Sequence, residues 1–496
     1  MKKFGKLLGF DPVQKQTNVR TEIVAGIVTF LAMAYILTVN PNQMFGAGSV
    51  YWSSAFIATA LGAVIGTLLM AFVAKMPLAQ ASGMGLNSMI GGLIGGWAGY
   101  AAAFTPGQAF FLVLVSGLIF LLLSVITIKG KTFRELVFDG MPVAVRGAIS
   151  VGIGLFIAYI GFQNAGVIIA DPYVQVSLVD FTNFDAAKPA LVALIGLFLI
   201  AILDKLRIKG AVIFGIIGAT IVGIPFGVTN LEVITGGANG ISWNFWENFA
   251  NFFAGENSVF ASFVNVFTVD GLIPAGVSIG SVVMIIITLC MIDMFDTMGT
   301  IVGCCGGNRI LSDENNKPHN YGKIMICDSV ATCTGAMLGT STVTTFVESG
   351  AGVSAGGRTG LTALTTAVLF FAAMFAMPLF AVIPGAATAA ALIYVGVLMM
   401  KNNIKSIDFS DAIKATSAFL TIVVMLLSYS ITEGIGVGMI SFTLMSAVAY
   451  VLDAIKYAAT KKKNPEAVKP KWDISVVALI VTVLFIVYFF VPADII

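Results

Sequence analysis

Charged residues are scarce in this chain. Asp, Glu, Lys and Arg together make up 10% of its 496 residues, the net charge is only +2, and the single histidine is His319. A nearly neutral chain lacks the basic surface that binds nucleic acid, so we predict no nucleic-acid partner. The five cysteines have no zinc-type spacing, and we predict no metal site and no cofactor.

Motifs of several other function classes are also missing. The full phosphate-loop pattern, Gly-x-x-x-x-Gly-Lys followed by Ser or Thr, does not occur, so ATP-driven transport has no support. An intramembrane aspartyl protease would need a Tyr-Asp and a Gly-x-Gly-Asp motif on facing helices, and neither occurs. We therefore predict that the protein is not an enzyme.

Apolar residues dominate what is present. They account for 58% of the chain, and the mean hydropathy is +0.97. A soluble domain could not bury so much apolar surface, so the composition indicates a polytopic membrane protein. The polar, basic segment 1–20 precedes an apolar run of span length without a small-residue cleavage pattern. We interpret that run as the first permanent helix and not as a signal peptide.

Runs of about 20 apolar residues, enough to cross a bilayer, recur along the chain. Lys and Arg cluster after every second run, whereas four intervening loops, such as 41–52 and 229–275, contain neither. The positive-inside rule therefore places the N-terminus in the cytoplasm. The final run, 473–492, is either a fifteenth span or the sign of one miscounted segment. The other predicted spans are 21–40, 53–74, 76–98, 108–128, 143–166, 189–204 and 210–228, followed by 276–303, 323–338, 339–357, 360–382, 385–400, 413–430 and 432–452.

Seven spans in each half have a geometric consequence. The second half starts from the opposite face of the membrane, so two related halves would form an inverted repeat. The third element of each half is rich in Gly, Ser or Thr, which disfavour a continuous helix. We expect short extended pieces followed by half-helices, and interrupted helices at matching positions point to a transporter's substrate site. The two elements are LAQASGMGLNSMIGGLIGG and LGTSTVTTFVESGAGVSAGG.

Asp293 and Asp296 interrupt a long apolar run, where a charged side chain costs roughly 2.5–3.5 kcal/mol and usually serves a function. They are three residues apart on one helical face, which Thr300 extends, and this face can hydrogen-bond a flat polar solute. Burial and mutual repulsion favour the protonated form of a carboxylate, so both are also predicted proton-coupling residues. The alternative is that one of them only ties its helix to a neighbour. Asp328, on the next helix, is interpreted as a structural partner.

Further candidate substrate-binding residues lie in the two interrupted elements. Glu348 follows Thr344 and Thr345, and we predict all three as substrate ligands; the alternative is that Glu348 caps a half-helix. Asn87 is the counterpart of Glu348 in the first half. Its amide either hydrogen-bonds a solute or cross-links the broken segment. Phe295 is a candidate for stacking on a planar ring, although ordinary packing accounts equally well for one of 38 Phe.

Five segments carry a resemblance that extends over almost the whole chain: FDPVQKQTNVRTEIVAGIVTFLAMAYILTVNP, GMGLN, IGFQNAG, DMFDTMGT and GTSTVTTFVESGAGVSAGGRTGLTA. Together they resemble the hypoxanthine/guanine/adenine permeases, a branch of the nucleobase–cation symporter-2 (nucleobase–ascorbate transporter) family. The resemblance implies an all-α membrane fold of 14 transmembrane segments as two inverted repeats of seven, with short strands in spans 3 and 10. It also implies a cytoplasmic segment 1–20, a core domain (21–128 and 276–383), a gate domain (129–228 and 384–496) and an extracytoplasmic loop, 229–275.

The same resemblance implies a function. Members import purine nucleobases (hypoxanthine, guanine and/or adenine) by proton symport, in the plasma or inner cell membrane, with the core moving against the gate. Their substrate and proton residues map onto Asp293, Asp296 and Glu348, with Asn87 from the third span. The implied partners are a purine, a proton and the lipid bilayer; several members are dimers, which leaves a homodimer open. One departure is the pair Ala81–Ser82, where the family usually has Ala-Pro.

Other small solutes remain alternatives on the same fold. A pyrimidine base or an inorganic anion is the main one, although three acids without a cavity-placed Arg or Lys argue against anions. A passive channel is another, which accumulation against a gradient would exclude. The sequence also leaves open which purine is preferred and whether sodium replaces the proton.

Overall fold

The chain folds as a mostly helical membrane protein. The computed structural model describes residues 7–95, 104–128, 131, 132, 136, 140–171, 175–208, 210–232, 241–305, 310–312, 318–461, 469, 472 and 474–490. Within these residues, eight helices are long and apolar enough to cross a membrane, and further apolar helices are shorter. The predicted polytopic helical class is therefore confirmed, whereas the count of 14 spans, the fifteenth span and the inverted repeat stay predictions.

Helices occupy most of the described first half, interrupted by short strands. Its helices are α1 (Val19–Met33), α2 (Ile36–Phe45), α3 (Trp52–Leu69), α4 (Met84–Gly95), α5 (Pro106–Val125), α6 (Val143–Asn164), α7 (Phe184–Lys205) and α8 (Ala211–Gly223). Its strands are β1 (Gln80–Ser82), β2 (Thr127–Ile128), β3 (Lys131–Thr132), β4 (Ile168–Asp171) and β5 (Gln175–Leu178).

The described second half contains a single strand, β6 (Val343–Thr345). Its helices are α9 (Phe245–Ala254), α10 (Val259–Asn265), α11 (Ile279–Cys305), α12 (Tyr321–Leu338), α13 (Ser349–Ser354), α14 (Gly360–Ala373), α15 (Met377–Ala381), α16 (Gly385–Asn403), α17 (Ala412–Leu427), α18 (Ile431–Lys461) and α19 (Val476–Phe490). Short π or 3₁₀ turns lie at Met70–Ala74, Val266–Asp270, Met374–Ala376 and Ile404–Ser406.

The strands β1 and β6 pair antiparallel and are completely buried. At the ends of the pair, the backbone N–H of Gly83 donates to the carbonyl of Thr342 over 2.9 Å, and that of Phe346 donates to Ala79 over 3.0 Å. Backbone groups that leave a helix inside apolar surroundings must find other partners, and here each strand supplies them to the other. These are the two segments for which the sequence predicts extended pieces.

Helix α3 holds the outer edge of β1. The hydroxyl of Thr67 accepts from the backbone N–H of Gln80 over 3.0 Å and donates to its carbonyl over 3.1 Å. Gly66 permits the close approach, since a Cβ there would lie 2.9 Å from both the Oε1 of Gln80 and the Cγ1 of Val343. The strand pair is therefore fixed on a helix and not exposed at its edge.

A buried carboxylate, Glu22, joins α1 to the start of α14. Its Oε1 accepts from the backbone N–H of Arg358 over 3.0 Å, and its Oε2 accepts from the hydroxyl of Thr362 over 2.5 Å. The residue is 0% exposed. Glu22 thus accepts from a backbone amide just before α14 and from a hydroxyl in its first turn, which is a structural role.

The chain divides into two compact units. The first comprises Met1–Val125 and Ile157–Val395 and contains the strand pair; the second comprises Ile126–Phe156 and Gly396–Ile496. Within the second unit, α17 and α18 approach closely at Gly438, because a Cβ there would overlap the Thr421 hydroxyl. The hydroxyls of Thr443 and Thr482, 2.8 Å apart, join α18 to α19. The predicted core and gate boundaries stay predictions.

Candidate functional site

Glu348 lies in the turn between β6 and α13, and its side chain is 7% exposed. Its Oε1 accepts a hydrogen bond of 2.5 Å from the hydroxyl of Tyr35. Its Oε2 is buried and has no hydrogen-bond partner among the described residues. A buried acceptor that the protein leaves unsatisfied is costly, so this atom is a strong candidate for contact with a ligand N–H.

Tyr35 is a site residue that the sequence analysis missed. It lies at the break between α1 and α2, is 1% exposed, and its hydroxyl is also 3.7 Å from the Sδ of Met84 at the start of α4. The available signal was a phenol hydroxyl within the apolar stretch TFLAMAYILTV, since a buried Tyr hydroxyl usually needs a polar partner. Only the fold identifies Glu348 as that partner.

Asp293 and Asp296 both lie on α11, but their surroundings differ. Asp293 is 1% exposed, and its Oδ2 accepts from the hydroxyl of Thr332 on α12 over 3.2 Å. Asp296 is half-buried and makes no hydrogen bond to any residue that the structure describes, although Glu348 and Asp328 lie near enough for their charges to act on it. Asp293 is therefore tied to its neighbouring helix, whereas Asp296 has no such contact among the described residues.

Asp328 is the centre of a buried hydrogen-bond network. Its Oδ1 accepts from the Nε2 of Gln80 over 3.1 Å and from the hydroxyl of Thr345 over 3.4 Å. Its Oδ2 accepts from the hydroxyl of Thr297 over 2.8 Å. The network joins β1, β6, α11 and α12 at a residue that is 0% exposed. These contacts agree with the interpretation of Asp328 as a structural partner.

The predicted threonine ligands are all buried near this network. The hydroxyl of Thr344 is 2.5 Å from that of Thr297, and the hydroxyl of Thr345 donates to the Oδ1 of Asp328. Thr300 is 8% exposed, one turn beyond Asp296 on α11. The side chain of the remaining candidate, Phe295, lies outside the described part of the structure.

Asn87 lies in α4 and is 0% exposed. Its Nδ2 donates to the Oε1 of Gln43 over 3.3 Å, and its Oδ1 accepts from the hydroxyl of Ser341. The amide therefore links α4 to α2 and to the segment that leads into β6. Of the two roles that the sequence allows, these contacts are those of a cross-link.

The fold thus brings together Tyr35, Glu348 and Asp296 beside the paired strands. The Oε2 of Glu348 and the carboxylate of Asp296 are hydrogen-bond acceptors, and the charges that act on Asp296 are those of two other carboxylates. Acceptors of this kind suit a neutral solute that carries N–H groups, and clustered carboxylates also bind protons more readily than isolated ones. The same charges disfavour an anion.

Comparison with known proteins places the chain among permeases. A family model described as a permease family matches residues 20–437. The chain is 35% identical over 430 residues to the adenine permease AdeP of Escherichia coli, covering 86% of this chain and 87% of the relative. It is 34% identical over 440 residues to the guanine/hypoxanthine permease PbuO of Bacillus subtilis, covering 88% and 94% of the two chains.

Solved structures share the fold at low identity. The transmembrane domain of the cyanobacterial bicarbonate transporter BicA has a TM-score of 0.56 and 17% identity, covering 83% of this chain and 97% of that one. SLC26A9 has a TM-score of 0.53 and 11% identity, covering 91% and 69%. The family match and the relatives confirm the resemblance. The chain belongs to the nucleobase–ascorbate transporter family, whose members are membrane permeases and not enzymes.

Proposed function

We propose that this permease imports purine nucleobases, namely hypoxanthine, guanine or adenine, across the cell membrane. Two observations support the proposal: the relatives over most of the chain are named for these bases, and the buried cluster offers acceptors to a flat ring with N–H groups. The observation that carries it is the buried Oε2 of Glu348, which lacks a partner among the described residues. A purine ring N–H would satisfy this atom.

The purine is proposed to bind between the two broken elements. Glu348 accepts one ring N–H, and Asp296 accepts a second donor or holds the proton. Thr300 extends the face that carries Asp296, while Asn87, Thr344 and Thr345 hold the broken elements in place through the contacts described above. We expect strong discrimination between purines and analogues that lack their N–H groups. A site built around buried polar groups rejects, by up to about 10⁴–10⁵-fold, an analogue that leaves those groups unpaired.

Proton symport is proposed to depend on Asp296, with Asp293 in a secondary role. Asp296 has no donor among the described residues and lies near two other acids, so gaining a proton relieves charge repulsion in the cluster. A neutral purine would then enter with one proton. The core, 21–128 and 276–383, would move against the gate, 129–228 and 384–496, in a 14-span fold whose N-terminus is cytoplasmic.

Uptake into proteoliposomes tests the proposal directly. Purified protein is reconstituted, an inward proton gradient is imposed, and labelled hypoxanthine is followed with and without a protonophore. We expect accumulation above the external concentration, loss of accumulation with the protonophore, and competition by unlabelled purines. Binding and transport of sulfate or bicarbonate without any effect of purines would contradict the proposal and favour the anion alternative. Uptake driven by a sodium gradient alone would replace the proton in the mechanism.

A further inference from the structure

Tyr35 has no role in the function proposed so far, although its hydroxyl lies against the central carboxylate. We propose that Tyr35 is a positioning residue: it occupies the Oε1 of Glu348 and so makes Oε2 the only atom through which Glu348 recognises the purine. This inference rests on the proposed function of the site. It predicts that recognition at Glu348 depends on a single N–H of the substrate and not on a pair.

The geometry gives Tyr35 this position. Its hydroxyl donates to the Oε1 of Glu348 over 2.5 Å, while Oε2 on the same carboxylate has no partner among the described residues. The terminal torsion of a Glu side chain is broad, so a carboxylate without a partner can rotate about it. A hydrogen bond to one oxygen restricts that rotation and thereby limits the directions in which the other oxygen can point.

Burial restricts the movement of the Tyr35 side chain, which contacts Glu348. The residue is 1% exposed and lies where α1 ends and α2 begins, so its side chain is almost completely enclosed by the protein. The groups that face its hydroxyl are Glu348, the Sδ of Met84 and, through its charge, Asp296. Met84 belongs to the first broken element and Glu348 to the second. Tyr35 therefore contacts both elements between which the purine is proposed to bind.

Replacing the hydroxyl alone tests the positioning role. In Tyr35→Phe the ring remains, so we expect the KM for hypoxanthine to rise about 10- to 100-fold, the range for loss of a hydrogen bond to a charged group, with Vmax per folded transporter within about twofold. Tyr51→Phe is the matched control, because the ring of Tyr51 stacks on Phe45 away from the cluster. An unchanged KM in Tyr35→Phe, or a fall in Vmax alone, would overturn the inference.

Substrate analogues provide a readout that does not depend on the amount of folded protein. Hypoxanthines methylated at N1, N7 or N9 compete with labelled hypoxanthine, and the ratio of their inhibition constants is compared within each variant. We expect the unmodified transporter to reject one methyl position most strongly and Tyr35→Phe to reject that position at least about tenfold less. Equal discrimination in both proteins means that Tyr35 does not orient Glu348.

A second variant covers the case in which Tyr35→Phe does not fold. Incorporation of 3-fluorotyrosine at position 35 keeps the ring and the hydroxyl but makes the hydroxyl a stronger donor, so the KM is expected to change while folding is retained. An unchanged KM, together with unchanged ratios of the inhibition constants of the methylated analogues, would contradict the inference. If the unmodified protein takes up no purine at all, the proposed function fails instead, and the two failures are thereby distinguished.

Discussion

Gln80 and Asp328 are 248 residues apart in the chain, yet the Nε2 of Gln80 donates to the Oδ1 of Asp328 over 3.1 Å. The contact joins β1 of the first half to α12 of the second. Because both residues are fully buried, it is protected from competition by water. Asp328 therefore belongs to the framework that holds the broken elements, whereas Asp296 and Glu348 are the proposed ligand contacts.

Asp328→Asn should destabilise the protein. If the NH₂ group of Asn replaces Oδ2, it faces the Thr297 hydroxyl, which is also a donor. If it replaces Oδ1, the contacts with Gln80 and Thr345 must rearrange. We expect a loss of about 1–3 kcal/mol, seen as a lower melting temperature in detergent. Asp408→Asn is the matched control, since Asp408 is exposed and should contribute little. Equal melting temperatures for the two variants would contradict the framework role.

Asp296→Asn should separate binding from proton coupling. Asn keeps the shape of the side chain but cannot carry a proton, so we expect exchange of hypoxanthine across the membrane to persist while gradient-driven accumulation disappears. Asp293→Asn is the comparison, and its effect on accumulation should be smaller, because the Oδ2 of Asp293 is already engaged by Thr332. Full pH-driven accumulation by Asp296→Asn would remove the coupling role from this residue.

Glu348→Gln should weaken substrate binding more than it weakens folding. The amide places an N–H₂ group where the carboxylate offers an acceptor, so a substrate N–H meets either a donor or a weaker acceptor. We expect the KM for hypoxanthine to rise about 100-fold, while the melting temperature changes little. Glu247→Gln, an exposed acid near the start of α9, provides the control. A Glu348→Gln variant with normal KM would contradict the proposed purine contact.

Gly360→Ala tests the packing of α14. A Cβ at Gly360 would lie 2.1 Å from the carbonyl oxygen of Ala71, so backbone must move to accept it, and we expect a loss of about 1–3 kcal/mol in thermal unfolding. Gly385 is the matched position, because it also begins a helix and a Cβ there meets nothing within 4 Å. Gly385→Ala should leave stability unchanged or slightly improved. Similar melting temperatures would show that α14 tolerates the added methyl.

The eight long apolar helices of the described residues all overlap predicted spans, because both depend on the local length of apolar sequence. The break inside the first predicted span, 21–40, could not be predicted, since apolar residues lie on both sides of it and neither Gly nor Pro occurs between Met33 and Ile36. Gly, Ser and Thr content did reveal the two broken elements, because those residues weaken a helix wherever they occur. Their composition does not state which strand pairs with which.

The sequence identified the three acids and placed Asp328 on a different helix from Asp293 and Asp296, which is why it was interpreted as a structural partner. It could not identify the hydrogen-bond partners that distinguish Asp293 from Asp296. Thr332 engages Asp293, and Gln80 engages Asp328, through contacts that depend on tertiary structure. Tyr35 was missed for the same reason, because its partner is 313 residues away in the chain.

The pairing of β1 with β6 also bears on biosynthesis. The two strands are separated by more than half of the chain, so β1 leaves the ribosome long before its hydrogen-bonding partner exists. Until then, the backbone amides of Gln80–Ser82 need water or a translocation partner, because the bilayer core offers none. If translation stops before Val343, β1 lacks the strand with which it pairs. We expect such truncated products to be substrates for membrane quality-control proteases.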